Sequence, residues 1–253
     1  PGKEEFNETL RYFGERIAGT GVELRLGTLA TPAELAGFDE IVLATGILPR
    51  RVDFPGADHP RVTGYIDVLS GRNVPGRRVA IIGAGGIGFD VAEFLVHEGV
   101  SPSLDGERWR AEWGVDFDGG GRGGLVPPRP EPPAREVWLL QRSPGRPGRK
   151  LGKTTGWIHR ATLKAKGVKM LGGVEYLGVD DQGLHLRVDG AEQWLPVDTV
   201  VVCAGQEPRR DLQAALQAAG TTAPVHLIGG ADVAAELDAK RAIDQGSRLA
   251  ARL

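Results

Sequence analysis

The fold of this chain is decided by one stretch, RVAIIGAGGIG at residues 78–88, which continues as FDVAEFL at residues 89–95. The four apolar residues 79–82 predict a buried parallel strand. The glycines that follow predict a tight turn, and Ile87, Val91 and Leu95 then recur at the spacing of one helix face. The stretch therefore predicts a strand, a glycine turn and a helix in direct succession.

Within this stretch the glycines have the spacing Gly83-x-Gly85-x-x-Gly88. Gly83 would allow the tight turn, Gly85 would let a pyrophosphate approach the backbone, and Gly88 would let the helix pack closely on the strand. The free N–H groups and positive dipole of the helix N-terminus favour phosphate. The alternative is a glycine turn that binds nothing. The strand before and the helix after favour a dinucleotide site, formed by Gly83, Gly85, Gly86, Ile87 and Gly88.

The end of the next predicted strand, EVWLL at 136–140, selects between dinucleotides. A site for NAD or FAD places an acid there for the ribose 2′-hydroxyl, whereas a site for NADP offers arginine to the 2′-phosphate. Here the strand is followed by Gln141, Arg142 and Ser143, and residues 142–153 contain five basic residues and no acid. Arg142 and Ser143 are therefore the candidate phosphate ligands, and NADPH is favoured over NADH. A solvated basic loop is the alternative.

Periodicity and turn residues predict the other elements. Residues 101–134 contain 7 glycines and 6 prolines and show no sustained periodicity, and we expect an inserted, glycine-rich loop there. The remaining expectations are an amphipathic helix at 4–19, a half-buried strand at 22–26, a buried parallel strand at 39–46, antiparallel strands at 174–197 and a helix from about Asp232.

A short repeat occurs in the chain. DEIVLATGILPRR (39–51) aligns without gaps on DTVVVCAGQEPRR (198–210), and the identical positions include Gly46 with Gly205 and Arg50 with Arg209. Each copy follows a predicted helix and an edge-like strand. Self-similarity of this kind indicates one supersecondary plan used twice, and so two nucleotide-binding domains in tandem.

Three further residues have side chains that could take part in chemistry, and their sequence context indicates their roles. Asp232 follows Gly230 and Ala231 between a predicted strand and a predicted helix, where an acid is either an N-cap or a group close to a flavin. His159 has no partner acid in the sequence pattern, which favours an ordinary surface or core histidine. Cys203 lies in an apolar strand and is expected to pack as a small hydrophobe.

Composition excludes several classes of function. The formal net charge of −2 gives no reason to expect nucleic acid or an anionic membrane as partner. One cysteine cannot form an internal disulfide or an all-cysteine metal site, and no metal site is expected. The apolar runs are too short to cross a bilayer, and no signal peptide is recognisable. We expect a cytoplasmic piece of a longer protein.

Long segments resemble the C-terminal region of bacterial NADPH-dependent 2,4-dienoyl-CoA reductases, a flavoenzyme family related to trimethylamine dehydrogenase. The segments that carry the resemblance are RRVAIIGAGGIGFDVAEFL (77–95), LGKTTGWIHRATLKAKGVKM (151–170), CAGQEPRR (203–210) and VHLIGGADVAAELDAKRAIDQGSRLA (225–250). The resemblance covers nearly the whole chain, including the inserted loop.

The resemblance implies an α/β fold with tandem Rossmann-like dinucleotide-binding domains of the pyridine nucleotide-disulfide oxidoreductase type. Residues 1–50 would be part of an FAD domain, residues 51–205 an NADPH domain with its insertion at 101–134, and residues 206–253 a return to the FAD domain. The FAD domain would be incomplete, because its own glycine fingerprint is absent from the sequence.

The family's architecture also implies parts that this sequence lacks: an FMN-carrying barrel and a 4Fe-4S cluster. Electrons would pass from NADPH to FAD as hydride, singly through the cluster, and from FMN to the dienoyl-CoA substrate in the barrel. Residue by residue, the resemblance assigns FAD-proximal positions to Ala44, Thr45 and Gly46 and to Gly230, Ala231 and Asp232. Trp157 would lie near the substrate or flavin channel, unless it packs on the core as a helix-start aromatic.

The resemblance thus predicts the NADPH-binding and FAD-reducing part of a 2,4-dienoyl-CoA reductase. No catalytic acid, base or nucleophile is expected in this segment, since the cofactors carry the chemistry. Two alternatives stay open: a related flavin oxidoreductase that reduces another enone or oxidises an amine, and a non-catalytic nucleotide-binding remnant.

Overall fold

The computed structural model describes residues 2–235 and 239–253. Its strands are β1 Ile41–Leu43, β2 Ile47–Pro49, β3 Val62–Gly64, β4 Arg78–Ile82, β5 Glu136–Leu140, β6 Lys169–Leu171, β7 Glu175–Asp180, β8 Gly183–Val188, β9 Ala191–Leu195, β10 Thr199–Val202, β11 Gln206–Pro208 and β12 Val225–Leu227. Its α-helices are α1 Asn7–Thr20, α2 Pro32–Leu35, α3 Tyr65–Leu69, α4 Gly86–Val96, α5 Gly106–Trp113, α6 Gly156–Ala165, α7 Asp211–Ala218 and α8 Ala239–Ala250. None of the described helices is long and apolar enough to cross a membrane.

The chain divides into two compact units. Unit 1 comprises Pro1–Arg11 and Val52–Ala204, and unit 2 comprises Tyr12–Arg51 and Gly205–Leu253. Each unit is therefore built from two separate segments of the chain.

Unit 1 is organised around a five-stranded parallel sheet with the order β3-β10-β4-β5-β6. Alternate residues of β4 face opposite sides, as the pleat requires. Val79 and Ile81 pack with α4 and α6, whereas Ala80 and Ile82 pack with the antiparallel strands β7, β8 and β9. Both faces are covered, which explains why β4 and β5 are continuous apolar runs in the sequence.

Unit 2 contains two small sheets. β1 pairs in parallel with β12, and β2 pairs antiparallel with β11. Ile41 and Leu43 are buried with Leu216 of α7, whereas Val42 between them is exposed. The strand predicted at 39–46 is thus parallel, as expected, but it is buried on one face only.

Two expectations about the first half of the chain fail. Residues 22–26 form no strand, and Val22, Leu24 and Leu26 are exposed, because no strand among the described residues pairs with them. The predicted loop at 101–134 contains the eight-residue helix α5. The buried Lys166 ammonium lies 2.6 Å from Glu112 of α5 and also donates to the carbonyl of Glu131, so this segment is anchored to unit 1.

Candidate functional site

The glycine turn in unit 1 joins β4 to α4, as the sequence predicts. Gly83 has φ +112°, and a Cβ at this position would lie 2.5 Å from the carbonyl oxygen of Cys203, the residue that follows β10. Both the backbone angle and the contact exclude a side chain. Gly83 is therefore required for the chain to turn at the end of β4.

Gly88 has a different structural role. A Cβ at Gly88 would lie 1.8 Å from the carbonyl oxygen of Gly83 and 3.4 Å from Cδ1 of Leu139 on β5. The first turn of α4 consequently rests directly on the glycine turn and on the sheet. Neither contact involves a ligand, so this glycine is needed by the fold itself.

Gly85 and Gly86 have open space where their side chains would be. No atom outside the neighbouring residues lies within 4 Å of a Cβ built at either position. Gly85 also has φ −85°, a backbone angle that every residue can adopt. Gly85 is the N-cap of α4, so no N-cap side chain accepts a hydrogen bond from the first N–H groups of this helix. The fold therefore does not need glycine at Gly85, and the space beside the helix N-terminus is available to a phosphate.

A cavity of about 230 Å³ lies beside Gly85. Its opposite wall comes from the loop after β5, and it is lined by Ser143, Arg146, Arg149 and Lys150 together with Gln141. Gln141 stands where an NAD site would place an acid, and its Nε2 donates to the carbonyls of Ser143 (2.9 Å) and Gly145 (3.2 Å). These bonds hold the first residues of the loop in a turn at the end of β5.

The basic residues of this loop keep their positive charge uncompensated. Within the described part of the chain, none of them forms a salt bridge: Arg142, Arg146, Arg149, Lys150 and Lys153. The cavity therefore combines a helix N-terminus with cationic side chains, an arrangement that attracts a phosphorylated ligand.

Arg142 differs from the other basic residues of the loop. It is exposed and does not line the cavity, whereas its neighbour Ser143 does. Burial raises the pKa of the Tyr176 hydroxyl on β7, and the positive charge of Arg142 partly offsets this rise. Sequence reasoning singled out Arg142 and Ser143 and did not identify Arg146, Arg149 and Lys150 as cavity residues; the acid-free run 142–153 was the available signal.

In unit 2, the two segments predicted to lie near FAD come together. A Cβ at Gly230 would lie 3.3 Å from Cα of Gly46 and 2.8 Å from Cγ2 of Ile47, so the turn at Gly230 packs directly on the start of β2. Thr45 donates its hydroxyl hydrogen to the carbonyl of Arg209 at 2.6 Å. Ala44, Thr45 and Gly46 are thus held next to Gly230, Ala231 and Asp232.

The helix expected from about Asp232 does not start there. Residues Gly229–Ala231 form a 3-10 turn, residues 232–235 are not helical, and the described part of the next helix, α8, spans Ala239–Ala250. The Arg210 guanidinium binds the carbonyls of Ala231 and Asp232, which a helix starting there would use for its own first bonds. The Asp232 carboxylate accepts a hydrogen bond from Gln245 of α8 at 2.8 Å. Asp232 is therefore tied to α8 and does not cap a helix N-terminus.

The remaining singled-out residues lie in unit 1. Trp157 is 58% exposed in the first turn of α6, which is inconsistent with the core-packing alternative. His159, two residues further, has a partner acid that the sequence pattern did not suggest: its Nδ1 lies 2.6 Å from Oε1 of Glu93 on α4. Cys203 packs on the main core, and burial raises the pKa of its thiol to about 12. Cys203 thus packs as a small hydrophobe, as expected.

Comparison with known proteins gives relatives that are reductases. The chain is 27% identical over 248 residues to a metal reductase of Desulforamulus reducens, covering 91% of this chain and 34% of that protein. It is 33% identical over 99 residues to a cinnamate reductase of Clostridium sporogenes, covering 38% of this chain and 15% of that protein. The chain therefore spans about a third or less of the length of these relatives.

Solved structures agree on the fold. A 2-naphthoyl-CoA reductase bound to 2-naphthoyl-CoA matches with a TM-score of 0.76 at 23% identity, covering 98% of this chain and 32% of that one. Residues 16–226 match the pyridine nucleotide-disulphide oxidoreductase family. This match covers most of the chain and includes the glycine turn of unit 1. The chain belongs to the pyridine nucleotide-disulphide oxidoreductases, a family of flavin- and NAD(P)-dependent oxidoreductases.

Proposed function

We propose that this chain is the NADPH-binding and FAD-reducing part of a 2,4-dienoyl-CoA reductase. The observation that carries the proposal is the cavity beside Gly85, which faces the N-terminus of α4 on one side and an acid-free cationic loop on the other. A family member with this cavity has a place for the pyrophosphate of a dinucleotide and positive charge for one more phosphate.

The residues of unit 1 fit NADPH. Glycine at position 85 is not required by packing, and the space that its missing side chain leaves is the room that a pyrophosphate needs. The N–H groups at Gly86, Ile87 and Gly88 begin α4 and would donate to the phosphate oxygens. The 2′-phosphate would be bound by Ser143 and by the guanidinium groups of the loop.

Several cationic side chains are available for the 2′-phosphate. The proposal assigns it to Arg142 with Ser143, and Arg146, Arg149 and Lys150 supply further positive charge at the cavity wall. Gln141 replaces the acid that would repel a phosphate and select the 2′-hydroxyl of NADH. Charge and acid replacement thus favour the same dinucleotide.

FAD would be held in part by unit 2. The close contact of Gly230 with Gly46 and with the Ile47 side chain brings together the two segments that the resemblance assigns to FAD. When bound, FAD supplies the acceptor for the hydride of NADPH. Because the sequence lacks a second glycine fingerprint, we expect this chain alone to retain FAD weakly, and a tightly bound yellow cofactor after purification would contradict this.

The dienoyl-CoA substrate would bind outside this chain. The relatives are more than twice as long as this chain, which leaves room for the FMN barrel and the 4Fe-4S cluster that the resemblance implies. An α,β-unsaturated carboxylate is the second candidate substrate, because one relative carries the name cinnamate reductase. Assay of the longer protein with NADPH and either a 2,4-dienoyl-CoA or cinnamate separates the two.

The dinucleotide proposal is tested by titrating the chain with NADPH and with NADH, following ligand fluorescence. We expect micromolar binding of NADPH and weaker binding of NADH. Arg142→Asp and Arg149→Asp should each weaken NADPH about 10- to 150-fold, since a charged hydrogen bond contributes about 1.5–3 kcal/mol. NADH binding should change much less.

The matched control is Arg77→Asp, which makes the same change of charge at an exposed arginine immediately before β4. It should leave the preference for NADPH unchanged. Equal affinity of the wild-type chain for NADH and NADPH would contradict the proposal. If Arg142→Asp leaves NADPH binding intact while Arg149→Asp abolishes it, the phosphate site belongs to the cavity wall and the assignment of Arg142 is wrong.

A further inference from the structure

A cluster of three metal-binding side chains lies outside the sites described above. Asp90 and Glu93 are three residues apart on α4 and therefore on one face of the helix, and His159 reaches them from α6. One ligand atom from each of the three lies within 4.8 Å of the other two. The cluster thus joins the helix that follows the glycine turn to the helix that follows the cationic loop.

The cluster is partly enclosed and contains two carboxylates. The side chain of Glu93 is 16% exposed and that of His159 is 27% exposed. Burial raises the pKa of the Glu93 carboxyl, and the charge of Asp90 adds to this, while the hydrogen bond from His159 opposes it. A second carboxylate next to a partly buried one is electrostatically unfavourable unless a cation compensates for it.

One cation already occupies part of the cluster. The ammonium of Lys3 lies 2.7 Å from Oδ2 of Asp90, and both side chains are substantially exposed. Such a pair between exposed, flexible side chains is weak. Lys3 therefore marks the cationic position beside Asp90, while Glu93 and His159 contact each other across the helix interface.

The donor set identifies the class of cation. One imidazole nitrogen and two carboxylate oxygens suit Zn²⁺ and similar first-row metals, whereas Mg²⁺ and Ca²⁺ take oxygen ligands only. Ligands at roughly 2.1 Å from a tetrahedral Zn²⁺ are about 3.4 Å apart. The three ligand atoms already lie within 4.8 Å of one another, so a metal requires that the short contact between His159 and Glu93 opens and that Lys3 leaves Asp90.

We propose that Asp90, Glu93 and His159 form a binding site for a divalent transition-metal cation of the Zn²⁺ type, for which Lys3 competes. The fourth position would be taken by water, since the three ligands come from one side. Bound metal would cross-link α4 to α6 and would stabilise unit 1. This inference does not depend on the identity of the nucleotide.

The test uses the chain freed of metal with a chelator and titrated with Zn²⁺ by calorimetry. One equivalent should bind saturably, and the melting temperature should rise with Zn²⁺ concentration. His159→Gln and Glu93→Gln should each lower the affinity by at least about 10- to 100-fold. Lys3→Met should raise it about two- to five-fold, because the competing ion pair is lost.

The matched control is His185→Gln. His185 is 23% exposed and also pairs with a glutamate, Glu192 at 3.4 Å, but belongs to no three-ligand cluster in the described chain. It should leave Zn²⁺ binding unchanged. Metal-free melting curves show whether each variant is folded before the titration. Absence of saturable binding, equal binding by His159→Gln, or weaker binding by Lys3→Met would each overturn the proposal.

Discussion

Alanine substitutions at two glycines of the same turn should have opposite consequences. At Gly88 the new Cβ would lie 1.8 Å from the carbonyl oxygen of Gly83, and the obstacle is backbone that cannot rotate away. At Gly85 no protein atom lies within 4 Å of the new Cβ, and the backbone angles are those of an ordinary extended residue. The fold therefore opposes Gly88→Ala and tolerates Gly85→Ala.

The magnitudes follow from these contacts. Overpacking typically costs about 1–3 kcal/mol, and Gly88→Ala should reach or exceed the upper figure because α4 must move off the sheet. Gly85→Ala should be neutral or stabilising by about 0.4–1 kcal/mol, since alanine reduces the freedom of the unfolded chain. Its cost should instead fall on dinucleotide binding. If the methyl group displaces the pyrophosphate at the same 1–3 kcal/mol, NADPH affinity falls about 5- to 150-fold.

The assay measures two quantities for each variant: the free energy of unfolding in urea and the dissociation constant for NADPH. Gly106→Ala is the control, because it also adds a methyl group in open space at the start of a helix of unit 1, away from the cavity. It should bind NADPH normally. The reasoning is refuted if Gly85→Ala binds NADPH as tightly as this control, or if Gly85→Ala loses as much stability as Gly88→Ala.

Three further predictions concern stability and reactivity. Lys166→Met should cost about 3–5 kcal/mol in urea unfolding by leaving Glu112 buried without its partner at 2.6 Å, and Glu112→Leu added to it should recover most of the loss; additive losses would contradict this. Cys203, whose thiol pKa burial raises to about 12, should react with a thiol reagent at pH 8 only after unfolding, and fast labelling of the native chain would show that the β10 end opens. The hydrogen bond from Arg78 lowers the pKa of the Asp198 carboxyl, so the contribution of this carboxylate to stability is present above the usual pKa of 3.8 and is lost as the pH falls through the lowered pKa. Asp198→Asn should reduce the loss of unfolding free energy at acid pH, and an unchanged loss would assign it to other carboxylates.

The glycine turn could be predicted from sequence because every determinant of it is local. Spacing alone assigned the turn to Gly83 and close packing to Gly88, and both assignments reappear as contacts that a Cβ would violate. The lining of the cavity could not be predicted in the same way. Which arginines face Gly85 depends on how the loop turns at the hydrogen bonds of Gln141, and charge spacing does not contain that information.

Errors occurred where a tertiary partner decides the local structure. Residues 22–26 alternate like a strand, but a strand needs a neighbour, and the described residues provide none. Asp232 has the sequence context of a helix start, but Arg210, which is more than 20 positions earlier, takes the carbonyls that such a helix would need. In both cases the local pattern was present. The strand at 22–26 did not form because a partner strand is missing from the described residues, and no helix starts at Asp232 because Arg210 binds its carbonyl.

The repeat has a structural explanation that sequence could only suggest. In unit 2 the two copies pair with each other through β2 and β11, and the pairing is reciprocal: Arg50 N donates to Gly205 O and Arg209 N donates to Gly46 O, both at 3.1 Å. Gly46 and Gly205 occupy equivalent positions and both have positive φ. The shared Gly-x-x-Pro-Arg pattern is thus what a segment needs in order to pair with a copy of itself.

Each copy also contacts a glycine of another segment. The first copy packs Gly46 on Gly230 in unit 2, and the second places the carbonyl of Cys203 against Gly83 in unit 1. These contacts use different positions of the repeat, because Gly46 aligns with Gly205 whereas Cys203 aligns with Ala44. The two copies therefore share the geometry that pairs β2 with β11, whereas the contact with a glycine turn is particular to each unit.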